Sequence, residues 1–306
     1  MSVPGQSGIL VADKPAGVTS FDVVARARYR LGARRVGHAG TLDPEAVGVL
    51  PLLLGEATKL VPYLMDQDKV YVATLRLGVT TDTHDLQGVV RATASVEGVT
   101  LDAVRGATRS FVGRIQQVPP MYSAVHHEGR RLYELARAGV EVERQPREVV
   151  VHAIEVEAMD GPSVRLRIVC GKGTYVRSLA ADLGAALGCG AAVAQLIRTR
   201  VGPFERDTAV GWSELGEALR ADLWERVRAP ESALATWPAL RLDERGALAF
   251  VNGQSVPVPP ATPRGLVRVH DDGGHLIGVG DTALAGRVRP LRILHVDRPG
   301  TRALPV

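Results

Sequence analysis

Aromatic residues are scarce: Phe, Trp and Tyr make up 4% of the 306 positions, so any core must rest on aliphatic packing. Two cysteines, Cys170 and Cys189, exclude a disulfide framework and match no zinc spacing. Lysine is almost missing as well, with Lys14, Lys59, Lys69 and Lys172 the only four among 37 basic residues. No apolar run approaches the ~20 residues of a membrane span. The N-terminus lacks a charged start followed by an apolar stretch, which sets the expectation of a cytoplasmic protein. There is no internal repeat and no low-complexity segment. A net charge of +4 is a mild bias toward polyanions, too small to decide a partner.

What the chain does have is a dense loop, Val36-Gly37-His38-Ala39-Gly40-Thr41-Leu42-Asp43-Pro44-Glu45-Ala46-Val47-Gly48-Val49-Leu50-Pro51. Three glycines and two prolines shape its backbone. One imidazole, one hydroxyl and one carboxylate sit close together in it, as in a site held by its scaffold. The same residues also spell a helix start, with Asp43 as N-cap and Pro44 at the first helical position. Spacing does not choose between the two.

Along the chain, Gly8 to Gly17 reads as a short buried strand running into a turn. Thr19 and Asp22 have capping-box spacing, and Phe21, Val24, Ala25 and Leu31 trace a helical stripe closed by Gly32. Arg26, Arg28, Arg30, Arg34 and Arg35 crowd this helix and the loop after it, as a solvated face or a phosphate track. Glu56 to Met65 suits a helix, Val70 to Leu77 a half-buried strand, and Leu101 to Phe111 another helix. The two prolines of Gln116 to Ala124 rule out regular structure there, and Arg130 to Arg137 follows as an amphipathic helix. Val149 to Glu157 and Val164 to Val169 pair around Asp160-Gly161. A helix is expected near Ser178 to Leu187, a strand over Ala191 to Arg200, and polar helical chain to Ala235. From residue 238 the pattern changes to short β-like runs with almost no helix signal.

Several chemistries fail on the residues. Gly171-Lys172-Gly173 is no Walker A loop, because Leu166 stands where the first glycine belongs and Gly173 replaces the magnesium-binding Ser or Thr. Asp43 and Glu45 are too close for a glycosidase pair. His38, His84, His126, His127 and His152 give no metal spacing, and neither a GxSxG elbow nor a dinucleotide fingerprint is present. Tyr71, and Tyr175-Val176-Arg177 beside glycines, remain. With Asp43 they fit a reaction on a base taken out of its stack, which needs an aromatic ring and an ionised carboxylate beside a cation. Taken alone, Arg177 reads equally as a surface arginine at a helix start.

The run from Gly37 to Pro44, continued by Gly55-Glu56-Ala57-Thr58-Lys59, closely resembles the catalytic loop of the bacterial tRNA pseudouridine synthases that modify the T-loop uridine. Tyr71, Thr81-Asp82-Thr83, Met121-Tyr122-Ser123-Ala124 and Gly173-Thr174-Tyr175-Val176-Arg177 match the family's further motifs in order. Ala39, Thr41 and His84 are mild departures that remove no catalytic group. The resemblance implies an α+β fold, a mixed, mainly antiparallel sheet flanked by helices, with a small C-terminal β-rich PUA-like RNA-binding domain. It divides the chain into a catalytic domain over 1–236, with an RNA-contacting thumb at about 116–146, and the small domain over 237–306. It makes Asp43 the nucleophile, Tyr71 the ring that stacks on the target base, and Arg177 the partner of Asp43. His38 lies near the flipped nucleotide, Tyr175 and Leu196 line the pocket, Asp85 contacts substrate, and Lys14 supports the loop. It further implies tRNA as partner, a monomer, and no cofactor or metal. Two rival classes remain at this point: an RNA-binding or folding chaperone without essential catalysis, and a glycosidase or nucleoside hydrolase using Asp85 as second carboxylate.

Overall fold

The computed structural model describes residues 6–123, 125–127, 129–283 and 286–295. They form two compact units. The first holds the described residues up to Pro44, Val49–Met65 and the described residues from Gly202 onward; the second holds Glu45–Gly48 and Asp66–Val201.

In the first unit, strand β1 (Gly8–Lys14) is almost wholly buried. Helix α1 (Ser20–Leu31) carries the expected capping box: the Thr19 side chain accepts from the Asp22 N–H, and Asp22 accepts from the Thr19 N–H. Gly32 ends it in the left-handed conformation, φ 64°. The buried stripe is Ser20, Val23, Val24, Ala27 and Leu31. Phe21, expected on that stripe, is 70% exposed. One residue is about 100° of turn, so centring the stripe on Val23 and Ala27 sends Phe21 outward. These side chains pack with Leu10, Leu50, Leu52 and Leu54 and with Val210, Leu215 and Leu223.

Strand β2 (Val36–His38) pairs antiparallel with β3 (Val47–Leu54), Val36 opposite Leu54. No helix follows Asp43. Pro44 and Glu45 form a turn and the chain enters β3 at Val47, so the helix-cap reading of Asp43 is wrong. The helix expected over Glu56 to Met65 is split into a 3-10 segment, Gly55–Leu60, and an α-helical turn, Val61–Met65. Pro62 has no N–H to donate, so it fits only in the first turn of a new helix.

The C-terminal stretch forms a five-stranded sheet. Its order is Ala239–Arg241, Leu266–His270, Leu276–Asp281, Arg287–Ile293 and Val256–Pro257, with only the first pair parallel. Leu240, Phe250, Val267, Val269, Ile277 and Val288 give it a core of its own. Sequence patterning missed its one helix, Glu244–Val251, which is two turns long and capped by Asp243 through the Gly246 N–H. Of the small domain expected over 237–306, residues 284–285 and 296–306 lie outside the described residues.

The second unit is a sheet ordered Ala191–Val201, β4 (Lys69–Leu77), Ser163–Cys170, Arg147–Asp160 and Gly113–Gln117, every neighbour antiparallel. Val47 and Gly48 run parallel to Ile197 and Arg198. Helices Leu101–Thr108 and Val176–Ala186 complete it. The mixed, mainly antiparallel α+β expectation therefore holds. Gln116 and Gln117, expected outside regular structure, finish a strand instead, because the prolines come only at 119 and 120. The following helix starts at Leu132 rather than Arg130, and Leu132 and Leu135 pack on Met121. Ala124 of the quoted motif lies outside the described residues.

Candidate active site

The Asp43 loop is fixed by contacts on both sides of the aspartate. On one side the Ser20 hydroxyl accepts from the Leu42 N–H at 2.9 Å and donates to the Leu42 carbonyl at 3.2 Å. On the other, Lys14 Nζ donates to the Pro44 carbonyl at 2.7 Å, and the Gly17 N–H donates to the same oxygen at 3.1 Å. Lys14 is 0% exposed and also donates to the carbonyls of Pro15 (2.8 Å) and Val18 (2.7 Å). The Ala39 N–H reaches the Pro51 carbonyl, and Gly40 turns the chain at φ 96°. Asp43 stands half-buried between these anchors, and His38 sits half-buried at the end of β2.

Lys14→Met keeps the length of the side chain but removes the buried donor that the Pro15, Val18 and Pro44 carbonyls share, leaving Pro44 only the Gly17 N–H. The expected cost is about 3 kcal/mol of stability, with turnover lowered by about 10²-fold as the loop loosens. A denaturant midpoint together with single-turnover kinetics checks this. An unchanged midpoint would mean that the lysine is no anchor.

In the second unit, Arg177 lies in the first turn of helix Val176–Ala186 and is 5% exposed, so it is not the surface arginine that a helix start suggests. Its guanidinium donates to the carbonyls of Thr83 (3.1 Å) and Tyr122 (2.7 Å). Its Nε lies 3.9 Å from Asp85 Oδ2. Asp85 accepts from the Thr83 hydroxyl at 2.6 Å and from the Gln87 N–H at 3.1 Å. Tyr175 is held by a reciprocal pair: its N–H donates to Gln117 Oε1 (2.7 Å) and its carbonyl accepts from Gln117 Nε2 (3.0 Å). His84, beside Asp85, is the one non-glycine with positive φ among the described residues, at 61°. Burial pushes its imidazole pKa down, and the charges of Arg177 and Arg144 push the same way. A recess of about 380 Å³ opens beside it, lined by Asp82, Arg91, Tyr122 and Arg144 among others.

Tyr71 and Leu196 share one face of this unit's sheet. Tyr71 is paired across strands with Arg198 and with Ile168, while Leu196 stands opposite Ala73. Ile168, Ala73 and Arg198 are buried, leaving half-buried Tyr71 as the accessible polar group of the patch.

Lys69, two residues before Tyr71, has its pKa pulled down to about 8, first by burial and then by the Arg198 charge, against Asp66 and Asp68. A cation depressed in the folded state destabilises it below that pKa. The penalty is relieved as pH rises from about 8 toward the unfolded value. Lys69→Met is therefore expected to melt higher than the wild type at pH 7, with the gap narrowing through that window. A gap independent of pH would contradict the assignment.

Among the described residues, no group of three or more His, Cys, Asp or Glu could hold a metal ion, and no helix is long and apolar enough to cross a membrane.

The family described as "TruB family pseudouridylate synthase (N terminal domain)" matches residues 28–176. Its C-terminal counterparts, "tRNA pseudouridylate synthase B C-terminal domain" and "Pseudouridine synthase II TruB, C-terminal", match 177–235 and 238–294. The tRNA pseudouridine synthase B of Aromatoleum aromaticum is 48% identical over 288 residues, covering 94% of this chain and 92% of its own. That of Stutzerimonas stutzeri is 45% identical over 295 residues, covering 95% and 96%. The chain belongs to the TruB family of pseudouridylate synthases.

Solved structures agree with the fold of this TruB-family enzyme. An H/ACA RNP bound to a substrate RNA containing 2'-deoxyuridine matches with a TM-score of 0.69 at 27% identity, over 94% of this chain and 84% of that one. A Cbf5-Nop10-Gar1 complex matches with a TM-score of 0.70 at 28% identity, over 95% and 84%.

Three buried polar residues beside the site groups were not singled out from the sequence: Ser20, Gln117 and Arg198. Ser20 was findable, as a polar residue on the buried stripe of α1. Gln117 ends a strand on an inward position, and Arg198 sits mid-strand beside a second arginine, Arg200; neither pattern separates a buried polar group from an exposed one. Of the five arginines between residues 26 and 35, read as a solvated face or a phosphate track, two are engaged within the first unit. Arg26 stacks on the Trp212 ring at 3.8 Å, and Arg30 donates to the Ala218 carbonyl, so both serve the first unit's packing.

Proposed function

We propose that this TruB-family enzyme converts the T-loop uridine of tRNA, position 55, to pseudouridine, with Asp43 as nucleophile and without a cofactor. The observation that carries the reading is the Asp43 loop itself. A carboxylate held half-buried between anchored Leu42 and Pro44 has the fixed position that attack on a bound nucleotide requires. The names of its relatives, tRNA pseudouridine synthase B, support tRNA as the substrate.

The reaction breaks the C1′–N1 bond, turns the uracil and forms a C1′–C5 bond; the C5 proton is released to water and N1 takes up a proton in its place. Atoms and electrons balance within the substrate, so the proposed route calls on neither oxidant nor metal. The uridine must leave its stack to reach the enzyme. In this reading Tyr71 stacks on the extruded base and assists loss of the C5 proton, while Leu196 and Tyr175 bound the pocket. The Arg177 guanidinium supplies the charge that keeps the nucleophile ionised, with Asp85 fixing the arginine and contacting substrate. His38 occupies the place of the extruded nucleotide, and Lys14 sets the loop. Residues 1–236 then form the catalytic domain, with the thumb at about 116–146 closing on RNA and the small domain from 237 adding RNA contacts. A cytoplasmic monomer acting on the T arm is the form we propose.

Carbodiimide treatment of an enzyme-modified tRNA transcript, read by primer extension, locates the product. A stop at the T-loop uridine is expected. A stop at another uridine, or none, would contradict the reading.

A further inference from the structure

The chain has few aromatic side chains and, among the described residues, only two of them are exposed: Phe21 at 70% and Tyr29 at 79%. Both lie on α1. At about 100° per residue, Phe21, Ala25 and Tyr29 follow one i, i+4 ridge opposite the buried stripe, with Arg28 beside them. Arg28, Arg34 and Arg35 are exposed as well, whereas Arg26 and Arg30 are turned to Trp212 and Ala218. The acidic groups nearby are Asp22, engaged with Thr19 in the cap, and exposed Glu214, Glu217, Asp222 and Glu225. The last four belong to the segment that Arg26 and Arg30 reach, which leaves the Arg28 flank positive. One end of the ridge adjoins the nucleophile's loop, because Ser20, next to Phe21, carries both hydrogen bonds to Leu42. The other end lies about 12 Å away, at 1.5 Å per residue.

We propose that this face of α1 docks single-stranded RNA running on from the modified uridine, Phe21 and Tyr29 stacking on bases and Arg28, Arg34 and Arg35 meeting phosphates. The inference rests on the synthase reading above. Exposed rings flanked by arginines fit this occupant, since stacking tolerates any base while guanidinium groups follow the backbone. The length of the ridge spans about four stacked bases at their ~3.4 Å spacing. A protein partner would have to bury three arginines along with the rings.

The test uses the full chain and a fluorescent tRNA transcript, titrated over a range of salt. Phe21→Ala/Tyr29→Ala should weaken binding by about tenfold or more, with the melting temperature and the rate at saturating RNA unchanged. Tyr29→Phe, which keeps a ring, should bind like wild type. Arg28→Ala/Arg34→Ala/Arg35→Ala should flatten the slope of log affinity against log salt by about 2. Affinity of the double variant within about twofold of wild type, or an unchanged salt slope in the triple variant, would overturn the proposal and favour a protein partner. Wild-type pseudouridine formation, assayed in parallel, separates failure of this surface from failure of the synthase reading.

Discussion

Asp43→Asn is expected to lower pseudouridine formation by about 10³-fold or more, with melting temperature and RNA affinity close to wild type. The substitution is nearly isosteric; it removes the charge and exchanges one acceptor oxygen for an NH2 donor. The described anchors of the loop are backbone groups of its neighbours, Leu42 and Pro44, held by Ser20, Lys14 and Gly17. No helix begins at Pro44, so the side chain has no cap to lose. An asparagine amide is a poor nucleophile, and a lost nucleophile costs far more than a lost contact. A variant that lost RNA binding or unfolded would show instead that Asp43 is structural.

Gly48→Ala should be the most damaging of the small changes. Gly48 holds φ at 110°, and a Cβ there would lie 2.1 Å from the Arg198 carbonyl oxygen, with the Arg198 carbonyl carbon and nitrogen at 2.9 and 3.0 Å. Those are backbone atoms of a paired strand and cannot swing aside. The choice is between breaking the Val47–Gly48 pairing and shifting Arg198, a buried residue opposite Tyr71. A loss of about 4 kcal/mol is expected, together with lowered turnover in whatever folds. Urea denaturation measures the first effect; a loss below about 1 kcal/mol would mean that the strand pair gives way easily.

Much of this was legible in the residues because it is local. The Thr19–Asp22 cap, the Gly32 stop and the hairpin near Asp160 each follow from neighbours a few positions apart; the first two stand as expected, and the hairpin forms with its turn one residue on, at Gly161-Pro162. The errors arose where distant chain decides. Phe21 looked like core because it is apolar, but the stripe is set by what α1 packs against, Leu10 and Leu50 through Leu54. Asp43-Pro44-Glu45 has every local feature of a helix start, yet β3 claims the residues from Val47. Arg177 illustrates the limit for the site. Its burial depends on carbonyls at Thr83 and Tyr122, 94 and 55 positions away, which no spacing rule relates to it. The helix Glu244–Val251 escaped because eight residues hold too few turns for a period to show.

The central claim is that Asp43 performs the chemistry, and release of tritium from uridine C5 tests it most directly. Wild type and Asp43→Asn are each mixed in excess with a T-arm stem-loop labelled at that carbon, and the solvent is counted over a single turnover. The account predicts release by the wild type and none by the variant, with the RNA still bound. Release by both would contradict it.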